Sequence, residues 1–85
     1  MNRKFERIDE IVHETKRLTG PYGNRIQIDY DLSEDRLYCE EFVDATSYIM
    51  YNNPDVIHVA TVCRPLSKPE LIDMITQAIE DHRKY

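Results

Sequence analysis

The sequence predicts a small α+β domain: a three- or four-stranded, mostly antiparallel sheet flanked by an N-terminal and a C-terminal helix. Three observations carry that class. Apolar residues recur at spacings of three and four near both ends of the chain, they alternate with polar residues after the first helical stretch, and an almost unbroken apolar run of strand length precedes the last. Helical period outside and strand period inside is the pattern of a short sheet with helices packed largely on one face.

Residues 3–18 form the first helical stretch. Phe5, Ile8, Ile11, Val12, Thr15 and Leu18 fall on one stripe, Lys16 and Arg17 lie where cations suit the negative end of a helix dipole, and Gly20 is placed to end the helix. Residues 25–32 alternate. Ile26, Ile28, Tyr30 and Leu32 share one face and Gln27, Asp29 and Asp31 the other, as in a half-buried strand. Ser33-Glu34-Asp35 reads as a tight turn, and Leu37 to Phe42 as the second arm of a hairpin.

Residues 44–52 admit two readings. Asp44 is placed to cap a short helix carrying Ala45, Tyr48, Ile49 and Asn52 on one face, ended by Asn53-Pro54; the rival is a strand through Thr46–Tyr51. Val56 to Cys63 is valine-rich and of strand length, as expected of a strand buried on both faces. The final helix is signalled most strongly. Ser67 and Glu70 match the capping box, Leu66 and Leu71 the hydrophobic staple, and Leu71, Ile72, Ile75, Ala78, Ile79 and His82 keep the helical period. The order is α-β-β-α-β-α, with α-β-β-β-β-α as the alternative. The last strand is expected beside the first, with a right-handed crossover.

The 85 residues make one domain, 1–85, and a chain this short buries only about 60–65% of its unfolded surface. Hydrophobic content of 41%, spread with clear periodicity, argues against disorder, and no apolar run reaches the length of a membrane span. The charged N-terminal residues do not read as a signal peptide, so the expected location is cytoplasmic. In that compartment Cys39 and Cys63 are free thiols, read as small buried hydrophobes. No cofactor motif and no metal-ligand spacing is present. Scattered His13, His58 and His82 read as structural, with His58 needing a hydrogen-bond partner if buried.

The net charge of −5 is uneven: residues 26–62 carry Arg36 against eight acids, whereas residues 1–25 carry six basic and four acidic residues and residues 63–85 four of each. A middle of that sign repels phosphate, which disfavours nucleic-acid binding there; five cations on the first helix, Arg3, Lys4, Arg7, Lys16 and Arg17, share that helix with four acids. If the aliphatic residues of the hairpin face inward, Asp29, Asp31, Tyr38 and Glu40 face outward together. They are the candidate partner-binding surface, with Tyr48 and Tyr51 as interface aromatics. Arg64, Ser67 and Lys68, with Cys63, form a candidate anion site at a strand end and helix start. The function these features imply is a small, acidic, non-enzymatic interaction or regulatory module binding a protein partner or itself as a homodimer. One alternative is an acidic mimic of nucleic acid that blocks a nucleic-acid-binding protein. Another is a small ligand-binding protein or enzyme using Cys63, Arg64 and Lys68.

Overall fold

The computed structural model describes residues 7–42 and 54–84. Helix α1 spans Ile8–Thr19, strand β1 Ile26–Asp31, strand β2 Arg36–Glu41, strand β3 Val56–Val62 and helix α2 Lys68–Lys84. The α+β class holds, with a three-stranded antiparallel sheet between the helices in the described residues. Stretch 44–52, with Tyr48 and Tyr51, lies outside those residues, as do Arg3, Lys4 and Phe5.

The strand order is β2-β1-β3, and both neighbours run antiparallel to β1. The last strand therefore lies beside the first, as expected. The strands that run parallel are β2 and β3, one on each side of β1, so the right-handed crossover rule applies to the connection between those two. Most of that connection lies outside the described residues.

α1 packs on β2, α2 packs on β3, and the helices touch each other. Ile8, Ile11, Ile28, Tyr30, Leu37, Ile57, Leu66, Leu71, Ile75 and Ile79 form the buried cluster between helices and sheet. α1 has Lys16 and Arg17 in its last turn, as read from the sequence, and its start at Ile8 also puts Asp9 and Glu10 in its first turn, which suits the dipole at that end. Gly20 closes it with φ of 57°, and Gly23, at φ of 67°, leads into β1 with the Cys63 carbonyl close by. A Cβ on Gly23 would sit 3.2 Å from that oxygen, so conformation and space both call for glycine.

The burial of two strands reverses the sequence expectation. The alternating strand, β1, is buried at all six positions, whereas the apolar run, β3, is a sheet edge among the described residues and leaves His58 and Thr61 exposed. The polar residues of β1 are buried together with hydrogen-bond partners, and β3 has a sheet neighbour on one side only among the described residues. Cys63, expected to be buried, is exposed just past the end of β3, whereas Cys39 is half-buried and its thiol is pushed up to about 11 by that burial.

The start of α2 is built as the sequence indicates. The Glu70 N–H donates to Ser67 Oγ at 3.3 Å, and the Ser67 N–H donates to Glu70 Oε1 at 3.2 Å. Leu66 and Leu71, the staple pair, are both in the core. Arg64 adds a pair of contacts to the same carboxylate, its Nη2 lying 2.6 Å from Glu70 Oε2. Thr15 ties this turn to α1: its hydroxyl donates to the Val12 carbonyl at 2.7 Å and accepts the Leu66 N–H at 3.1 Å, in a fully buried position.

Two outcomes follow. Thr15→Val leaves the Leu66 N–H without its acceptor inside the core and lowers stability in urea unfolding by about 1–3 kcal/mol, whereas Thr15→Ser loses less; a Thr15→Val chain as stable as the parent contradicts the link. The Glu70 carboxyl is held at about 2, from its ordinary 4.5, by the Arg64 guanidinium first and then by Ser67. A depressed carboxyl stabilises the fold above its unfolded value, and that contribution is lost as pH falls from about 4.5 towards 2. Glu70→Gln therefore flattens this limb of the melting-temperature curve against pH.

Candidate functional site

The residues expected to form a partner-binding surface differ in exposure from the sequence reading. Alternation along β1 does put Gln27, Asp29 and Asp31 on the face turned away from the core cluster. That face is not open, however: Asp29 is 0% and Asp31 1% exposed. Neither carboxylate is presented to a partner, and the regular outward row of acids reduces to exposed Glu40 beside half-buried Tyr38. The acids tolerate burial because the chain supplies hydrogen bonds to them.

Asp31 is satisfied locally. Its Oδ1 accepts the Ser33 N–H at 3.0 Å, the Ser33 hydroxyl at 2.8 Å and the Glu34 N–H at 3.1 Å. Burial alone raises its pKa, but these donors, together with Arg36 opposite it on β2, outweigh that and leave it lowered. The same turn places Asp35 in the left-handed region, at φ of 54°, where its carboxylate accepts the Tyr30 hydroxyl. Burial, and then that bond, raise the Tyr30 pKa.

Asp29 is satisfied at long range. The Gln27 side-chain amide lies 3.0 and 3.2 Å from its two oxygens, and His58 Nδ1 lies 3.3 Å from Oδ1. His58 Nε2 is in turn 3.2 Å from Thr61 Oγ1. The sequence assigned His58 a structural place in a buried strand. It gave no local sign that the partner of His58 is a carboxylate 29 positions earlier.

Arg64, Ser67 and Lys68 do meet at the start of α2, but each is already held by a carboxylate of the chain. Arg64 and Ser67 bind Glu70, and Lys68 Nζ lies 3.2 Å from Asp9 Oδ1. An added anion would have to displace carboxylates from these groups, which accounts for the three residues through capping and ion pairing. On α1, Arg7 and Arg17 are likewise paired, with Glu10 and Glu14. Among the described residues no three of His, Cys, Asp and Glu converge as a metal-binding group, and no helix is long and apolar enough to cross a membrane.

Two grooves remain. One of about 670 Å³ runs between β3 and α2, with Val56, Val59, Met74 and Ala78 among its apolar walls and Gln77, Asp81 and His82 on the helix side. The other, between α1 and β2, is crowded with charged groups of both signs, including Arg7, Glu10, Glu14 and Arg36. Tyr22, in the helix-to-strand loop, is 90% exposed.

If the buried carboxylates are structural, Asp29→Ala and Asp31→Ala each lower stability by about 1–3 kcal/mol through the donors they abandon, whereas Glu34→Ala on the exposed turn stays within about 0.5 kcal/mol. Chemical denaturation of the three variants checks this; near-equal stabilities would return Asp29 and Asp31 to the surface.

No protein-family model matches the chain, and no curated protein or solved structure matches it either.

Proposed function

We propose that the chain is an interaction or regulatory module that binds an extended segment of a protein partner along β3. The observation that carries this reading is the composition of an outer strand. β3 has a sheet neighbour on one side only among the described residues, and it contains no Asp, Glu, Lys or Arg in a chain that is 32% charged. Sheet edges in water are commonly guarded by charge or proline, because unpaired backbone groups invite another strand. Among the described residues, an uncharged edge beside an apolar groove has the two parts that strand addition uses: backbone groups for affinity and a side-chain slot for specificity.

The net charge of −5 favours a basic partner for fast encounter. The mimicry version depended on regularly spaced outward carboxylates. With Asp29 and Asp31 buried it has lost that support.

The test places a lysine on the edge. Thr61 is exposed, so Thr61→Lys adds a charge where an incoming strand would lie and leaves the core untouched. Tagged parent and variant chains are compared for captured proteins and for mass by light scattering, where the 10.1 kDa monomer is the reference. The reading expects a basic partner captured by the parent and lost from a folded Thr61→Lys chain. A complex of about twice the monomer mass, dissolved by the same change, identifies a second copy as the partner. Binding indifferent to Thr61→Lys overturns the reading.

A further inference from the structure

Residues 58 and 61 are three positions apart, and in an unbroken strand they face opposite sides of the sheet. In β3 they do not. Ile28 is paired with Ala60 but Asp29 with His58, so β3 carries one extra residue, Val59, at this point. The bulge resets the alternation. It sets His58 opposite Asp29 and Thr61 opposite Gln27, both on the polar face. Bulges occur preferentially beside active sites because they re-aim side chains in this manner.

The side chains so gathered form one hydrogen-bonded series: the Gln27 amide, the Asp29 carboxylate, the His58 imidazole and the Thr61 hydroxyl. The polarity of the series follows from its buried end. An ionised carboxylate only accepts, so His58 Nδ1 carries the proton and donates to Asp29. In the neutral imidazole Nε2 is then the acceptor, and the Thr61 hydroxyl is placed to donate to it. Gln27 fixes the carboxylate, and the carboxylate fixes the tautomer and ring orientation. Gln27 and His58 both donate to Asp29, and neither bond involves Thr61. The exposed Thr61 hydroxyl has water available and needs no protein acceptor, so its place on Nε2 is not explained by folding alone.

We propose that Thr61 is a nucleophile activated by His58, accepting an acyl group from a small activated ester or thioester. Thr61 Oγ1 bonds to the acyl carbon as the bond from that carbon to the leaving oxygen or sulfur breaks. His58 Nε2 takes the hydroxyl proton and passes it to the leaving group. Water then hydrolyses the threonyl ester, returning the hydroxyl. His58 and Thr61 are exposed at the end of the series, so its direct signature is the covalent adduct rather than rapid turnover. It is separate from partner binding: Thr61→Val removes the nucleophile but keeps a neutral edge, whereas Thr61→Lys affects both.

The full-length chain is incubated with p-nitrophenyl acetate at pH 7.5, quenched in acid and mapped by peptide mass spectrometry. Thr76, equally exposed on α2 but outside any such series, is the internal reference. Acetylation at position 61 is expected to exceed that at Thr76 by about a hundredfold or more, the lower end of what a positioned base supplies. It should disappear from that position in Thr61→Val, persist in Thr61→Ser, and fall at least about tenfold in a folded His58→Gln chain. Acetyl groups confined to lysines, Cys63 or the N-terminus, with position 61 no more reactive than Thr76, overturn the proposal. The parent comparison decides the matter even if His58→Gln fails to fold.

Discussion

The architecture turns on the burial of a carboxylate in the central strand. Asp29 has no exposed surface, and a buried charge is tolerated only when donors surround it. Gln27 supplies one from the same strand, and His58 supplies a second from β3. The second donor constrains more than one side chain. It requires β3 to lie antiparallel to β1 in a register that brings position 58 opposite position 29. Slipping that register by one residue would move His58 to the other face and break its bond to the carboxylate.

The rest of the fold holds that register from the opposite face. Ile28, Tyr30 and Ile57 present the apolar side of the sheet, and α1 and α2 cover it. The helices are joined at their starts by Lys68 and Asp9, and through the core by the Thr15 hydroxyl to the Leu66 N–H. Exposed ion pairs contribute little on their own. The buried Thr15 bond is worth more, because its loss strands a backbone donor. The turn at Leu66–Glu70 is thus fastened twice, by its own capping box and by a side chain from the other helix.

Features encoded over short sequence distances were legible in the sequence. The Ser67–Glu70 box, the Leu66–Leu71 staple and the hairpin turn depend on residues within five positions of one another and appear as read, and the α1 stripe is kept at Ile8, Ile11, Val12 and Thr15, although the helix begins at Ile8 rather than at residue 3. The exposure of Asp29 and Asp31 was not legible, for two different reasons. Asp31 had a local sign, a serine two residues on, that marks a carboxylate turned back to the chain rather than to solvent. Asp29 had none, since its second partner is 29 residues away. Alternation reports which face a side chain takes. It does not report whether that face is wet. The same limitation led to β3 being expected as a doubly buried strand when it is an edge among the described residues, and no periodicity could announce the extra residue at Val59.

Native-state hydrogen exchange tests the central claim most directly. With β1 buried on both faces and paired on both sides, the amides of Ile26–Asp31 should exchange only through global unfolding, at the free energy found by denaturant titration. Amides in the Gly20–Asn24 loop should exchange far faster. Exchange of the Ile28–Tyr30 amides at loop-like rates, or by a local opening well below the global free energy, would contradict a fold organised around the buried Asp29.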